Sequence, residues 1–362
     1  MSESYGNALN DYETIVNIIN SHFTIKDRYL RNNDVIEFSI DSTEYLKQNF
    51  RKVAKELKSK GFIAFLRKTN GDIILTVGKM ALVTHFSRRK PLLLFLIVIG
   101  VVLIDGWLRS TDFISRFELN FDPIFFTILY TLSIMGIIGV HELGHMIASS
   151  THGIKSSLPY FIPGFPGVLP TFGALITAGE PPLNRDALFD LGLSGPIAGL
   201  IVTLIVTVPG ALTSILLPST EVTQMMDLGG MFITSPSLLM LGIFELTGMV
   251  QEGMMIYLSP LGFAAWLGFI ITFLNMLPAW QLDGGHIARG VLGREKHRIA
   301  TYLSILLLFL LGYWLMALLV LFLSMGRIEM RPLDDVTSIS NGRKYLFIFI
   351  IILAVLLIPI PF

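Results

Sequence analysis

His141-Glu142-Leu143-Gly144-His145 sets two imidazoles four residues apart, with a carboxylate beside the first, inside an apolar run that begins near Phe125. On a helix, residues i and i+4 share a face about 6 Å apart along the axis, so both rings can reach one ion while Glu142 lies near its open position. This is the H-E-x-x-H pattern of zinc hydrolases. Three ionisable groups in an apolar helix are each costly without a partner, which favours a shared ion over two chance histidines.

A catalytic zinc usually takes three protein ligands and keeps one position for water. The chain has no cysteine, so the third ligand must come from His, Asp or Glu. The other histidines are His22, His85, His152, His286 and His297. A second polar motif near an apolar span is Asn275-Met-Leu-Pro278-Ala-Trp-Gln-Leu282-Asp283-Gly284-Gly285-His286. Pro278 should end the helix there, and Gly284-Gly285 should free the backbone to turn Asp283 toward a partner span. Asp283 is therefore the expected third ligand, with one Zn2+ per chain. His286 competes for that role, and an ordinary Asp-Gly turn would use the same residues. His152 ranks below both, because Gly153 follows it and marks a helix end.

Such a set would hydrolyse an amide without a covalent intermediate. Glu142 would take a proton from the attacking water and pass it to the leaving amine. Asn275 is a candidate donor to the developing oxyanion, or else a helix-capping amide before Pro278.

The elements that must position these residues lie in a membrane chain. Hydrophobic residues make up 52% of the 362 and charged residues 15%, whereas a soluble domain carries charge on about a quarter of its residues. With 27 basic and 27 acidic residues the formal charge is zero, which gives no field suited to nucleic acid. The polar N-terminus lacks the apolar core of a cleaved signal peptide.

Residues 1–88 read as a soluble α+β module. Val35 to Ile40 is a strand, Thr43 to Lys60 a helix opened by Asp41 or Ser42, and Phe62 to Leu66 with Ile73 to Val77 a hairpin over Thr69-Asn70-Gly71-Asp72. Residues 89–121 then hold a first span, Pro91 to Ile104, and an outer loop. A catalytic membrane core follows at 122–290, with spans at Asp122 to Ser150, Ala187 to Leu212 and Ile256 to Leu277. Ser237 to Val250 is too short and interrupted for a crossing and reads as re-entrant or interfacial. Residues 291–362 add spans at Ala300 to Leu323 and Tyr345 to Pro361. The fold class is thus a polytopic α-helical membrane protein of about six transmembrane helices. The basic clusters Arg88-Arg89-Lys90 and Arg289 to Arg298 put the module in the cytoplasm by the positive-inside rule, with residues 213–235 outside; Arg327 and Arg331 fit that scheme poorly. A cell-membrane location is the expected address.

Between the second and third spans, Pro159 to Pro182 has strand-forming residues and many turn residues, consistent with a membrane-associated hairpin or loop. An edge strand there could bind an unwound substrate by strand addition. A surface lid or a purely structural hairpin would look the same. Gly192, Ser194, Gly195, Ala198 and Gly199 allow close helix approach, and Arg185 with Asp186 could form an interfacial pair.

With these residues in place, the chain resembles the site-2 protease family of intramembrane zinc metalloproteases. HELGH at 141–145 and N-x-x-P-x-x-x-L-D-G at 275–284 look like its two signature motifs, in order and on separate spans, and Ser194-Gly195-Pro196-Ile197-Ala198-Gly199 looks like its G-P-x-A-G segment. The stretch from Pro170 to Asp190 is most like the chloroplast and prokaryotic branch of EGY-type proteases. The resemblance covers about residues 122–290. It implies that His141, His145 and Asp283 bind zinc, that Glu142 is the catalytic glutamate, and that Asn275 lies close enough to help hold substrate. The implied substrate is a transmembrane protein cut in or near its apolar segment.

Two other functions remain compatible with polar groups in spans. A metal or ion transporter needs such groups to cross, but here they gather in two motifs instead of forming a chain. A membrane-bound peptidase acting on soluble substrates would carry the same metal residues. Expected partners are membrane lipid and the substrate, with no nucleic acid. The N-terminal module could bind a peptide or a second copy of itself.

Overall fold

Burial alternates along the apolar runs Phe62 to Leu66 and Ile73 to Val77 because successive strand side chains point to opposite faces, and the buried set faces two helices. The computed structural model describes residues 2–32, 35–80, 86–222, 234–325 and 331–360. It divides into two compact units: Met1–Thr84 with Gly179–Leu188 and Met330–Ser340, and the remainder.

The first unit contains α1 (Ser2–Asn20), β1 (Ile25–Asn32), β2 (Val35–Ile40), α2 (Leu46–Ser59), β3 (Phe62–Thr69) and β4 (Asp72–Lys79). All pairings are antiparallel, in the order β1-β2-β4-β3. Asn70 and Gly71 both have positive φ, 52° and 95°, as a two-residue type I′ hairpin turn requires. Phe50, Val53 and Leu57 of α2 join Phe38, Leu66 and Leu75 of the sheet in the core. The expected helix opening at Asp41 or Ser42 is corrected. Tyr45 stands at the N-cap without a side-chain bond, while Asp41 pairs with Lys26 at 2.8 Å. Sequence pattern does not reveal α1 and β1. The strand is a charged edge, with Lys26, Asp27, Arg28 and Tyr29 exposed, so it has no hydrophobic alternation.

Two distant stretches are stitched into this unit by backbone bonds. Leu66 N–H donates to Leu333 at 2.8 Å, and Leu333 and Asp334 donate to Pro182 and Leu183 at 2.8 and 2.9 Å. Lys47 pairs with Asp186 at 2.7 Å and Lys58 with Glu180 at 2.6 Å. Buried Asp334 accepts the N–H groups of Val336 and Thr337, each at 2.9 Å. Arg185 and Asp186 do not pair with each other: Arg185 reaches Asp335, and Asp186 takes Lys47 and the Ser340 N–H.

The second unit is mainly helical: α3 (Arg89–Arg116), α4 (Pro123–Thr151), α5 (Arg185–Thr213, from Phe189 onward), α6 (Leu238–Leu246), α7 (Pro260–Met276), α8 (Asp283–Leu310), α9 (Trp314–Ser324) and α10 (Asn341–Leu356). Three of these, α3, α4 and α5, are long and apolar enough to cross a membrane. Their polarity is inverted relative to a soluble bundle. Leu92, Leu93, Leu96, Ile124 and Ile205 are exposed, while Asp105, Thr131, Ser133, Thr203 and Thr207 are buried. Two hairpins accompany the helices, β5 (Tyr160–Phe165) with β6 (Leu169–Leu175), and β7 (Ile215–Pro218) with β8 (Met254–Tyr257).

Six spans are not confirmed. The expected single span over Ala300 to Leu323 is broken at Gly312, whose φ is 83°. Gly312 N–H donates to Phe309 O at 3.1 Å, and Tyr313 N–H donates to Leu308 O at 2.9 Å. This is a Schellman stop, after which α9 packs against α8. The apolar run continues through it, which hides the break from hydropathy. The fourth expected span loses its start to β8 and is the 17-residue α7. Segment 237–250 holds the nine-residue α6, about 14 Å long, in keeping with an interfacial helix. Arg327 and residues 223–233 of the expected outer segment 213–235 lie outside the described residues. Beyond α10, Ile360 N–H donates to Pro236 at 2.9 Å, beside the start of α6.

Candidate metal centre

Asp122 caps α4 by accepting the Ile124 N–H at 2.8 Å, Pro123 occupies its first turn, and the helix ends at Thr151 with Gly153 at φ 69°. This fixes His141, Glu142 and His145 in the last third of a continuous helix, with His141 and Glu142 buried. α7 stops at Met276, and Leu277 is extended (φ −62°, ψ 134°) because Pro278 follows. Asp283 then opens α8. Gly284 and Gly285 are not the flexible turn expected from sequence. They lie in the first turn of α8, where an added β-carbon would meet Met276 O at 2.2 Å and Trp280 O at 2.3 Å, so their role is close backbone packing.

The two motifs meet. His141 Nε2 lies 3.2 Å from Asp283 Oδ2, His145 Nε2 3.3 Å from Asp283 Oδ1, and the two Nε2 atoms 3.1 Å apart. Donors at about 2.0–2.1 Å from a tetrahedral zinc would be separated by roughly 3.3–3.4 Å, so this N2O set fits that ion with a fourth position left over. Among the described residues it is the one group of three or more His, Asp or Glu side chains arranged to hold a metal.

His145 Nδ1 lies 2.8 Å from Leu191 O. A proton on Nδ1 donated to that carbonyl leaves the Nε2 lone pair for the ion. α5 crowds the same rings. An added β-carbon on Gly199 would come 3.1 Å from His141 Cβ, one on Gly144 would strike Ser194 O at 2.5 Å, and one on Gly192 would strike Asp283 O at 2.5 Å. The small-residue segment thus lets α5 lie directly against both metal motifs.

His286 is not part of the group; its Cβ faces Gly192. His152 caps α4 and bonds Asp190 at 2.9 Å, which also takes Arg343 Nε at 2.7 Å. His22 pairs with Glu56, His297 is buried on α8, and His85 lies outside the described residues. Asn275 is half-buried in the last turn of α7. Sequence reasoning does not find Leu191 O, because a backbone acceptor carries no residue signature, nor Arg343, which sits 153 residues from Asp190.

Residues 129–312 match the model of peptidase family M50. The chain belongs to this family. Both motifs of the M50 member fall inside the matched region. Among curated proteins it is 30% identical over 297 residues to the probable zinc metalloprotease EGY2, chloroplastic, of Arabidopsis thaliana, covering 79% of this chain and 48% of that protein. It is 32% identical over 240 residues to the Oryza sativa subsp. japonica EGY2 protein, covering 62% and 41%. The Arabidopsis EGY1 protein is 32% identical over 241 residues, covering 63% and 42%. The chain therefore spans about half or less of the length of these relatives. Their names place them in the chloroplast, so they lend no support to a cell-membrane address. No solved structure matches the chain significantly.

Proposed function

We propose that this M50 member is a zinc metalloprotease that hydrolyses peptide bonds within or near transmembrane segments, with His141, His145 and Asp283 as metal ligands and Glu142 as general base. The observation that carries this reading is the meeting of the three donors beside a buried glutamate on a long apolar helix. The relatives' names as zinc metalloproteases support the choice of ion.

A bound zinc supplies Lewis-acid polarisation of a carbonyl and acidifies water. Glu142 takes the proton from the attacking water on a carboxylate oxygen and delivers it to the leaving nitrogen. The Asn275 amide donates a hydrogen bond to the oxygen that gains charge. Leu191 O holds His145 in the tautomer that presents Nε2. A helical peptide bond is shielded from attack, and the β5–β6 hairpin offers an edge to which an unwound substrate segment adds as a strand.

Residues 122–290 form the catalytic core in this reading, preceded by a first span at 89–121 and followed by membrane helices in 291–362. The N-terminal module of residues 1–88 is cytoplasmic by its basic flank. The bonding of 179–188 and 330–340 to this module supports α5 and α10 leaving from one face of the membrane. That removes the misfit of Arg331 with the positive-inside rule.

The test is product mass spectrometry with a single-span substrate in lipid. Glu142→Gln should keep zinc and lower hydrolysis about 100-fold or more. Equal cleavage by both proteins refutes the mechanism, and cuts confined to water-exposed flanks or soluble peptides would leave a zinc peptidase of the other kind.

A further inference from the structure

Asp105 lies mid-way along α3 and is 0% exposed. Its carboxylate gathers three donors: the Gly167 N–H reaches Oδ1 at 2.6 Å, while Arg109 Nε and the Tyr130 hydroxyl reach Oδ2 at 2.8 and 2.5 Å. Arg109 in turn stacks on Phe263 of α7, 3.6 Å from the ring centroid. Three helices and the turn of the β5–β6 hairpin thus converge on one carboxylate.

Gly167 is the turn residue, at φ 84°. The neighbouring Phe165 and Val168 are 68% and 74% exposed, so the Gly167 bond is the polar attachment of the hairpin's tip. Ten residues before Asp105, Phe95 packs against Phe161 with ring centroids 5.2 Å apart. The two contacts lay β5 along α3, with the turn about 24 Å up the helix from Arg89. The hairpin also touches the metal-bearing helix. Leu169 and Ala174 pack into the cluster that contains Ile134 and Ile138, and Ile138 is one turn before His141.

Irregular backbone at such depth needs its polar groups satisfied by protein, and a neutral acceptor could do that for a single N–H. A fully buried carboxylate with its own arginine is a costlier solution, and what it adds is a fixed location shared by α3, α4 and α7. We propose that Asp105 is a positioning residue that sets where the hairpin stands against α4, and so which peptide bond of a strand-added substrate meets the His141–His145–Asp283 group. This rests on the strand-addition reading above.

The test uses full-length protein loaded with zinc. In the double variant D105L/R109L both charges leave together, so no buried ion is stranded; Y130F weakens the same junction more gently by removing one donor, and D105N keeps the shape of the side chain while leaving Arg109 without its counter-charge. Spin labels on Leu132→Cys and Val168→Cys, in a chain free of natural cysteine, report the distance from α4 to the hairpin tip. We expect a narrow distance distribution in the parent and a broadened or shifted one in the double variant, with zinc content unchanged. For a spanning substrate, KM should rise about tenfold, kcat should change less, and the cuts should spread to neighbouring bonds. Y130F and D105N should move these readouts in the same direction. An unchanged distance distribution overturns the proposal whether or not the parent cuts that substrate, as does an unchanged cut position. If the double variant loses zinc, D105N decides by the same two readouts. Failure of the parent to cut any spanning substrate speaks against the proposed function and not against the junction.

Discussion

A β-carbon built on Gly195 would lie 2.1 Å from His145 Nε2. The glycine of the G-P-x-A-G segment is therefore the space in which the second imidazole stands. Because the conflict involves the ring's three outer atoms, at 2.1, 2.5 and 2.6 Å, no small rotation relieves it. Gly195→Ala should push His145 off its bond to Leu191 O or push α5 away, lowering metal affinity by about 10- to 100-fold, the usual effect of disturbing support around a ligand. Gly199→Ala, whose nearest contact is 3.1 Å, should do less. Zinc titration of the two variants orders them, and a full, tight site in G195A would show that α5 gives way freely.

The donor set makes a second prediction. H141A, H145A and D283A should each lose most of the one zinc per chain, and H286A should keep it. His286 lies three residues beyond Asp283 in sequence but outside the cluster of facing donors. Metal analysis of the purified proteins checks this, and zinc retained by D283A but lost by H286A would transfer the ligand role.

How much of the site is legible in the sequence depends on whether a residue's partner is encoded nearby. His141, Glu142 and His145 can be read directly, since helical geometry alone relates them. Asp283 can be read as following a break at Pro278, and the helix does stop at Met276, yet Gly284 and Gly285 are tight packing positions and not the hinge that two glycines suggest. Gly312 is hidden because a Schellman stop inside an uninterrupted apolar run leaves hydropathy unchanged. Asp105 reads as the start of an outer loop, one residue past the expected span Pro91 to Ile104, whereas α3 continues to Arg116. Arg109 lies one turn away, but Tyr130 and Gly167 lie 25 and 62 residues away, and the Gly167 donor is a backbone N–H. The segments 179–188 and 330–340 cannot be assigned to the N-terminal unit from sequence, because what joins them is mostly main-chain bonding.

That bonding predicts sidedness. Cysteines placed at exposed Ser59 and Ser338, in one unit, should react with an impermeant thiol reagent from the same side of the membrane. α5 is 29 residues, about 43 Å, enough to cross, so a cysteine at exposed Thr220 should react from the other side. Labelling of positions 59 and 338 from opposite sides would restore the six-span scheme in which the chain crosses once between 300 and 323.

The junction at Asp190 gives the last prediction. Arg343 Nε and Nη2 both bond this carboxylate, the Nε contact at 2.7 Å, while His152 Nε2 reaches it at 2.9 Å, so α4, α5 and α10 share one half-buried acid. Asp190 is also next to Leu191, whose carbonyl orients His145. A two-pronged guanidinium contact is not reproduced by an ammonium, so Arg343→Lys should recover little of what Arg343→Ala loses. The loss should be about 1.5–3 kcal/mol, the range for hydrogen bonds to charged groups. In thermal unfolding of zinc-loaded protein in detergent, both variants should show a lower midpoint. Zinc affinity should fall less than in G195A, because His152 still holds Asp190 from the α4 side. If R343K unfolds with the parent, the second guanidinium bond contributes nothing, and if R343A does so too, the contact with Asp190 does not stabilise the fold.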